Sequence, residues 1–250
     1  MEPNWWKTYF DRDYMDIHAD RPYRNTEEEV NLLRSILGPA EGRWLLDACC
    51  GYGRHSIPLA GEGWRVVGLD QSDGLLNLAV RNASELPLEK RPFWVRGDLR
   101  TTVFEGAFDS AISMFTSIGY CERESDNFAT IRSIHAALAP GGVFTLDLAN
   151  RDFLTQYPLA LRNWWRRDKD FILEETKFDV ATSVATTKNI LIRGDAVRES
   201  AFRVRLYSFH EIAAYLNKAG FEIERAFGGY GAQPFTPTSH RMIVVARKSK

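Results

Sequence analysis

Residues 43–56 constrain the fold of this chain more than any other part of its sequence. An apolar run that ends at Asp47 predicts a buried strand. A turn with Gly51 and Gly53 follows, and the apolar spacing of residues 57–60 predicts a helix. Glycine lets the backbone approach a ligand closely, and a helix N-terminus offers free N–H groups. A strand, a glycine turn and a helix in this order therefore predict a site for a nucleotide-like ligand.

Two further predicted strands also end at acids. Residues 64–70 form an apolar run that closes at Asp70, and residues 91–98 form another that closes at Asp98. In an open parallel sheet, ligands bind outside the carboxyl ends of the strands. Asp70 follows the glycines by about 20 residues, a spacing at which an acid holds ribose hydroxyls. Together with Asp47, these acids predict one cleft at the strand ends.

In this order the motifs resemble those of the class I S-adenosylmethionine-dependent methyltransferases. The first motif is matched by LLDACCGYGRH, the second by GLDQS and the third by RGDL. The fourth strand is matched by FDSAISMF, and the Pro-Gly-Gly turn with the fifth strand by LAPGGVFTLDLAN. The match runs from about Arg43 to Asn150 and resumes near the C-terminus. It departs at Cys49 and Cys50, where an acid or glycine and a cysteine are more usual; small side chains still suit a tight turn.

The resemblance implies an α/β fold. We expect a Rossmann-like, mostly parallel sheet of seven strands with the last strand antiparallel and with helices on both faces. A single methyltransferase domain is expected over residues 1–250. The resemblance also implies S-adenosyl-L-methionine as the cofactor and S-adenosyl-L-homocysteine as its product.

Aromatic residues recur at helical spacing between Trp5 and Tyr14, with polar residues between them. The pattern predicts an amphipathic helix. This helix either packs on the sheet edge or forms a lid that covers the ligands and excludes water; the N-terminal helices of related methyltransferases favour the lid. Thr26 and Glu29 predict a capping box for a second helix. Residues 1–37 are therefore expected to form an N-terminal helical cap.

Residues 162–207 are expected to form an antiparallel β insert. Extended segments with partial alternation fill this range, and Gly194 with Asp195 indicates a hairpin between two of them. Glycine and amino-sugar N-methyltransferases look similar in this region. The insert either roofs the pocket or pairs with another subunit, so a monomer and a homodimer both remain open. Residues 231–238, which include two prolines, predict an ordinary loop.

The charge balance of the chain bears on which class of methyl acceptor it binds. The chain has 32 Lys and Arg residues against 33 Asp and Glu residues, for a net charge of −1. Sequence-independent binding to nucleic-acid phosphates favours a basic domain. We therefore expect a small-molecule methyl acceptor and not a nucleic acid. The sequence shows no signal peptide and no apolar run of about 18 residues, which predicts a cytoplasmic protein without a membrane span. Three cysteines without C-x-x-C spacing predict neither a disulfide framework nor a metal site.

The resemblance assigns the cofactor contacts to the strand ends. Gly51 and Gly53 are expected to meet the methionine part, and Asp47 to orient their turn or accept from the ammonium group. Asp70 is expected to accept hydrogen bonds from the ribose diol, and Asp98 from the adenine amino group. For each acid, a cap on the following helix is the alternative role. The other expected contacts are Gln71, Leu99 and Phe115.

Methyl transfer from a sulfonium is an in-line displacement, so the protein mainly has to align a nucleophile. A general base is needed only if the nucleophile holds its proton at neutral pH. The catalytic residues are therefore not identifiable from the sequence. Arg205 and Tyr207 share one face of an extended segment, and an arginine there suits a carboxylate or phosphate. The candidates for the acceptor side are Tyr14, Tyr120, Asn150, Arg151, Arg205, Tyr207 and His240.

A methyltransferase that acts on an N, O or carboxylate acceptor of a small molecule is the favoured function. An RNA or protein methyltransferase is the main alternative, but no Lys/Arg-rich run and no amino-base motif follows the fourth predicted strand. An NAD-dependent oxidoreductase fits less well, because Ser56 stands at the third glycine position and the Pro140-Gly141-Gly142 turn is foreign to it. A non-catalytic cofactor-binding module is the last alternative.

Overall fold

The computed structural model describes residues 5–10, 14–18, 25–101, 103–157 and 161–249. The strands are, in chain order, β1 (Trp44–Ala48), β2 (Arg65–Asp70), β3 (Phe93–Arg96), β4 (Phe108–Ser113), β5 (Leu138–Ala149), β6 (Arg162–Arg167), β7 (Asp170–Asp179), β8 (Val184–Arg193), β9 (Ala196–Arg205), β10 (Phe221–Phe227) and β11 (Arg241–Lys248). The α-helices are α1 (Trp5–Thr8), α2 (Tyr14–His18), α3 (Thr26–Leu37), α4 (Ser56–Gly61), α5 (Asp73–Asn82), α6 (Glu124–Ala137), α7 (Arg151–Gln156) and α8 (Phe209–Ala219).

Seven strands form the main sheet, in the order β10-β11-β5-β4-β1-β2-β3. Strands β1 to β5 pair in parallel, whereas β11 runs antiparallel to both β5 and β10. The predicted seven-stranded, mostly parallel sheet is therefore confirmed. Asp47 lies opposite Gly68 on β2 and Ile112 on β4, so the carboxyl ends of these neighbouring strands meet at one edge.

Helices cover both faces of the main sheet. Leu45 and Leu46 are successive residues of β1 and therefore point to opposite faces. Leu45 packs with α3 and α4, in a cluster that includes Leu33 and Leu59. Leu46 lies in the larger cluster on the other face, which α6 and α8 complete with residues such as Ile131. Both leucines are fully buried, which fixes the register of the strand that leads into the glycine turn.

The second sheet consists of β6, β7, β8 and β9, in that order and antiparallel throughout. Gly194 and Asp195 connect β8 to β9, which confirms the predicted hairpin. The N-terminal aromatic residues pack on this sheet: Trp5 and Tyr9 lie in one apolar cluster with Trp165. They form two short helices where the sequence predicted one, and residues 1–4, 11–13 and 19–24 of the expected cap lie outside the described residues.

The start of α3 differs from the prediction. Asn25 is the N-cap, because its side-chain oxygen accepts the N–H of Glu28 at 3.2 Å. Thr26 and Glu29 do not form the predicted capping box. Their side chains bind Arg54 instead, so both are committed to a tertiary contact.

Within the described ranges, no helix is long and apolar enough to cross a membrane. The same ranges contain no group of three or more His, Cys, Asp or Glu side chains that could hold a metal ion.

Candidate active site

A cleft with a volume of about 1150 Å³ lies between the two sheets. One wall consists of residues that follow the carboxyl ends of β1, β2, β3 and β4, among them Gly51, Asp70, Asp98 and Phe115. The opposite wall comes from the second sheet, α1, α2 and the segment before β11. Most small-molecule sites have volumes of about 300–1000 Å³. The cleft therefore has room for a cofactor and a small second ligand.

Asp70 holds the glycine turn in place from the end of β2. Its Oδ2 accepts the N–H of Gly51 at 2.8 Å, and its Oδ1 accepts the N–H of Ser72 at 2.9 Å. Burial raises the pKa of Asp70, although these N–H groups oppose the rise. Ser72 also caps α5 by accepting the N–H of Leu75. Asp70 and its neighbour Gln71 both line the cleft, so the carboxylate can still accept hydrogen bonds from a ligand.

Asp98 lines the cleft beside Leu99, but it already has a basic partner. The Arg100 guanidinium binds both of its oxygens, with Nη2 2.6 Å from Oδ2 and Nε 3.0 Å from Oδ1. This hydrogen bonding lowers the pKa of Asp98. Arg100 also reaches Asp126 at the start of α6, at 3.1 Å. Asp98 is therefore a fixed, ionised acceptor that a ligand would share with Arg100.

Asp47 and Gly53 do not line the cleft. Asp47 is buried and accepts the hydroxyl of Ser56 at 2.6 Å, which ties the end of β1 to the start of α4. Gly53 has a φ of +81°, and a Cβ atom built there would lie 2.6 Å from Cη2 of Trp94. Asp47 thus has the internal contact expected of a residue that orients the turn, and Gly53 packs against β3. Their contacts with a ligand stay predictions.

A buried charged cluster connects α3 to the glycine turn. Glu29 is fully buried, and its Oε2 lies 2.5 Å from Nη1 of Arg54 and 2.6 Å from Nε2 of His55. Nη1 of Arg54 also donates to the hydroxyl of Thr26 at 3.2 Å. The other nitrogen, Nη2, is buried and makes no hydrogen bond to any residue that the structure describes. Because Arg54 lines the cleft, its guanidinium places a positive charge beside any anionic ligand that binds there.

The titration of this cluster follows from its burial. Burial, together with the charge of Arg54, lowers the pKa of His55. Burial acts to raise the pKa of Glu29, but the hydrogen bonds from His55 and Arg54 and the positive charge of Arg54 outweigh it and lower the pKa. A neutral imidazole thus donates to an ionised carboxylate. His55 orients the cluster, in keeping with the packing or orienting role that its position after the glycines predicts.

Phe115 lies in a loop that Asp147 holds from β5. Phe115 and Thr116 both have positive φ, +61° and +60°, a conformation unusual for residues with a Cβ. The N–H of Phe115 donates to the Asp147 carboxylate at 2.8 Å, and that of Thr116 donates to the Asp147 carbonyl at 2.9 Å. The guanidinium groups of Arg54 and Arg241 lie 5.3 and 5.4 Å from the Phe115 ring centroid. The ring is thus fixed at the cleft wall, which it lines.

Tyr230 and Arg241 are cleft residues that the sequence did not single out. The Tyr230 hydroxyl and Nε of Arg241 each donate to the Asp147 carboxylate at 2.8 Å. Asp147 is an acid near the carboxyl end of a parallel strand, the same signal that identified Asp70 and Asp98. Applied to β5, that signal would have found Asp147, although not its partners Tyr230 and Arg241. The predicted ordinary loop before β11 thus contributes to the cleft wall.

Four of the candidates for the acceptor side line the cleft: Tyr14, Tyr120, Asn150 and His240. Asn150 is committed to structure, because its Oδ1 accepts the N–H of Asp152 at 3.0 Å and its Nδ2 donates to three carbonyl groups of the segment before β11. The His240 ring stacks on Phe153 at a centroid distance of 4.0 Å. Tyr14 and Tyr120 both pack against Phe10, in the aromatic layer between the sheets.

Three other candidates lie outside the cleft lining. Arg151 donates to the Ser183 hydroxyl at 2.9 Å. Arg205 pairs with Glu211 and lies over the Tyr207 ring, 4.9 Å from its centroid. Tyr207 itself is buried in the main core. The two-residue spacing correctly brought Arg205 and Tyr207 together, but their contacts are with α8 and not with the cleft.

The three thiols, Cys49, Cys50 and Cys121, are free and line the cleft. Burial raises the pKa of each of them. They are therefore un-ionised at neutral pH, which makes them poor nucleophiles and poor metal ligands. Cys49 has a positive φ of +66°, so it takes the backbone conformation that a glycine would favour in this turn.

The donors and acceptors of the cleft fit the chemistry of S-adenosylmethionine. Asp70 offers a carboxylate for a diol, Asp98 and Leu99 offer an acceptor and an apolar surface for a purine, and Arg54 offers a positive charge for a carboxylate. A mixed set of this kind, spread along one cleft, suits a ligand that is polar at both ends.

Comparisons with known proteins agree with this geometry. Residues 45–142 match the family model described as a methyltransferase domain. The chain is similar to the cypemycin N-terminal methyltransferase of a Streptomyces species, with 27% identity over 84% of this chain and 85% of that protein.

Two solved structures share the fold. The CcbJ methyltransferase from Streptomyces caelestis superposes with a TM-score of 0.85 at 21% identity, over 98% of this chain and 99% of that one. SAM-bound CalS10, an amino pentose methyltransferase from Micromonospora echinaspora, gives a TM-score of 0.67 at 19% identity, over 91% and 93% of the chains. Residues 45–142 therefore carry a methyltransferase domain, in agreement with the motif order of the sequence, and the chain has the fold of these two solved structures.

Proposed function

We propose that the protein transfers a methyl group from S-adenosylmethionine to an amine nitrogen of a small molecule that binds under the second sheet. The main observation that supports this proposal is the enclosure of the cleft. Main-sheet loops, the second sheet and the N-terminal helices surround one volume of about 1150 Å³. The cypemycin enzyme is named for an N-terminus and CalS10 for an amino pentose, and both of these groups contain an amine.

On the donor side, the residues bind and orient. Bound S-adenosylmethionine supplies a methyl group activated by a positively charged sulfur. Asp70 accepts from the ribose hydroxyls, Asp98 accepts from the adenine amino group beside Leu99, and Arg54 donates to the methionine carboxylate. The Gly51 backbone lines the wall where a side chain would obstruct the ligand. These contacts hold the reacting carbon in one place, which is the main contribution that proximity makes to the rate.

On the acceptor side, aromatic side chains exclude water from the reacting groups. Phe10, Tyr14 and Tyr120 line the cleft and pack against one another. The amine attacks in its neutral form, so an acceptor that binds as an ammonium ion first loses one proton to water. The nitrogen lone pair then forms the new N–C bond while the electron pair of the S–C bond returns to sulfur. No strong base is required, because an ammonium ion loses its proton near neutral pH far more readily than an alcohol does.

The near-neutral charge of −1 and the roofed acceptor side disfavour a nucleic-acid substrate. The N-terminal amine of a peptide is a second candidate, because the cypemycin enzyme is named for an N-terminus. An extended peptide end is narrow enough to enter a cleft that a folded protein cannot. The free cysteines suit a reducing compartment, so we place the enzyme in the cytoplasm.

Calorimetry with S-adenosylhomocysteine and Arg54→Met tests the donor half of this proposal. Removing a buried charged hydrogen bond is expected to weaken S-adenosylhomocysteine binding by about 10- to 100-fold. Arg34→Met is the matched control, because Arg34 pairs with Glu62 on the exposed side of α3 and does not line the cleft. Unchanged affinity of a folded Arg54→Met protein would remove the carboxylate assignment.

The acceptor half is tested by transfer of a labelled methyl group to matched pairs of amines and their N-acetylated forms, such as amino sugars and dipeptides. We expect label in the amine of a pair and not in its acetylated partner, because acetylation removes the nucleophilic lone pair. Equal labelling of both partners would contradict an amine acceptor.

A further inference from the structure

Two threonine hydroxyls line the cleft from the middle of the second sheet, outside every role assigned above. Thr176 on β7 is in register with Thr187 on β8, and their Oγ1 atoms are hydrogen-bonded at 2.8 Å. Both residues line the cleft. Thr187 is buried, whereas its neighbour Thr186 is exposed on the opposite face of the strand. The hydroxyl pair, Thr176 with Thr187, therefore belongs to the face of the second sheet that forms the cleft wall.

Apolar side chains flank the hydroxyl pair on one side. Phe202 on β9 is in register with Thr187 and also lines the cleft. Two residues before Thr187, on the same face, Ala185 lies in a buried apolar cluster with Val204. Valine has nearly the shape of threonine and a similar preference for strands, so it would complete such a face without a polar atom. The two hydroxyl groups therefore indicate that this part of the wall has a polar partner.

The neighbouring strand, β9, fixes the hydroxyl pair relative to the main sheet. The N–H of Arg205, at the end of β9, donates at 2.8 Å to the carbonyl of Gly119, in the loop that follows β4. Gly119 has a φ of +114°, and a Cβ atom there would collide with the Arg205 carbonyl, so glycine permits this close approach. The ring of Phe202 lies 6.3 Å from that of Tyr120, in the same loop. The hydroxyl pair is thus held one strand away from the junction of the two sheets.

Counting donors and acceptors shows what the hydroxyl pair can still bind. Each hydroxyl has one hydrogen to donate and two lone pairs. The bond between Thr176 and Thr187 uses one hydrogen and one lone pair, whichever residue donates. The second hydrogen and the other lone pairs have no partner among the side chains that the structure describes. A ligand hydroxyl matches this arrangement, because it donates and accepts at one atom, whereas a carboxylate only accepts and an ammonium group only donates.

We infer that Thr176 and Thr187 bind a hydroxyl group of the methyl acceptor, so that the substrate is a hydroxylated amine, an amino alcohol or an amino sugar. The inference rests on the proposed amine acceptor and adds the second group by which the enzyme recognises it. The hydroxyl pair supplies one donor and one acceptor, and Phe202 supplies the apolar surface beside them. The pair makes no bond to the reacting nitrogen; it selects among amines by what else they carry.

Cyclohexylamine and the 2-, 3- and 4-aminocyclohexanols probe this subsite without knowledge of the natural acceptor. Each is titrated by calorimetry into the intact protein saturated with S-adenosylhomocysteine. The probes all carry one ammonium group at neutral pH and differ only by a hydroxyl group, so the effect of charge cancels. We expect at least one aminocyclohexanol to bind about three- to tenfold more tightly than cyclohexylamine, the gain expected of a neutral hydrogen-bonded group. A double variant, Thr176→Val with Thr187→Val, should remove that advantage and leave the affinity for cyclohexylamine unchanged.

Thr186→Val is the matched control, because it makes the same substitution one residue away, on the exposed face of β8 and outside the cleft lining. It should keep the preference for the hydroxylated probe. Equal affinities for all the probes, no binding of any of them, or an unchanged advantage in the double variant would each overturn the inference. The proposed amine acceptor is tested separately, by the labelled methyl transfer described above. Loss of S-adenosylhomocysteine binding in the wild-type protein would instead contradict the proposed donor site.

Discussion

Asp70 and Asp98 follow neighbouring strands, but their surroundings give them different titration behaviour. Asp70 is held by two backbone N–H groups in a buried turn, and burial raises its pKa. Asp98 is bound by the Arg100 guanidinium, and its pKa is lowered. Acidification from neutral pH therefore protonates Asp70 first. A protonated carboxyl loses acceptor capacity that the ribose diol requires.

The affinity for S-adenosylhomocysteine should consequently fall as the pH falls. Ligand donors favour the ionised form of Asp70, so binding releases a proton wherever the free protein holds one. Because the pKa is raised, the fall should begin above the ordinary carboxyl range near pH 4. Isothermal calorimetry across this range, in two buffers of different ionisation enthalpy, measures both the affinity and the proton release.

Two variants separate the acids in that measurement. Asp70→Asn should bind weakly at neutral pH and show no dependence over the same pH range. Asp98→Asn should bind more weakly but keep the dependence, because Asp98 stays ionised there. A pH dependence that survives in Asp70→Asn would assign the titration to another group.

Single residues were predictable from the sequence where strand position alone sets their role. Asp70 and Asp98 line the cleft as their strand-end positions predicted. Asp47 occupies an equivalent strand-end position, but its carboxylate accepts a hydrogen bond from the Ser56 hydroxyl. Arg241 was not predictable, because its partner Asp147 lies 94 residues away in the sequence. A side chain's partner depends on which strands become neighbours, and composition does not record that.

At the scale of elements, the glycine turn is shaped by β3 as much as by its own sequence. Trp94 on β3 fills the space beside both Gly53 and Gly68, and a Cβ atom at either position would lie 2.6 Å from its ring. The two glycines thus let the turn and β2 approach one aromatic side chain. Gly53 therefore matters for packing, and its predicted contact with the cofactor stays a prediction.

Gly53→Ala should lower the free energy of unfolding by about 1–3 kcal/mol more than Gly42→Ala does. Both glycines have a similar positive φ, +81° and +75°, so the backbone strain is matched. Only Gly53 faces a neighbour, since a Cβ at Gly42 meets nothing within 4 Å. Urea unfolding of the two variants measures the difference.

Trp94→Leu in the Gly53→Ala background tests the same contact from the other side. Removing the indole should recover part of the loss that Gly53→Ala causes, because the added methyl group then has room. Equal stabilities for the Gly53 and Gly42 variants would contradict a packing role for Gly53.

Helix starts were predictable where the capping side chains still reach the backbone N–H groups of their own helix. Ser72 caps α5, and Ser208 with Glu211 forms a complete capping box on α8, as is typical of these patterns. The same pattern at Thr26 and Glu29 was misleading, because Arg54 and His55 occupy those side chains. Local hydrogen-bonding rules fail where a buried charge offers a stronger contact.

At the scale of the whole molecule, the cleft exists only between folded layers. Its walls come from strand ends of the main sheet, from the second sheet and from the N-terminal helices. No single segment of the sequence contains both walls. A ligand that fills the cleft therefore binds the folded chain and not the unfolded one.

S-adenosylhomocysteine should raise the melting temperature as its concentration rises. At 100 times the dissociation constant, selective binding to the folded state contributes about 2.7 kcal/mol. For a chain of this size that corresponds to a shift of about 5–10 °C. Differential scanning fluorimetry measures the shift, and Asp70→Asn at the same ligand concentration should reduce it. A shift that is the same in both proteins would contradict binding at Asp70.

The sequence by itself indicated the succession of the strands along the chain, the turn between β1 and α4, and the acids at the strand ends. Parallel strands bring their carboxyl ends to one edge, so a linear pattern of runs and acids suffices to locate the donor site. Only the tertiary structure decided which acids face the cleft and that Asp147 accepts hydrogen bonds from Tyr230 and Arg241. It also decided that the second sheet closes the side of the cleft proposed for the methyl acceptor. These depend on contacts between residues far apart in the chain, whose energies arise only once the layers pack.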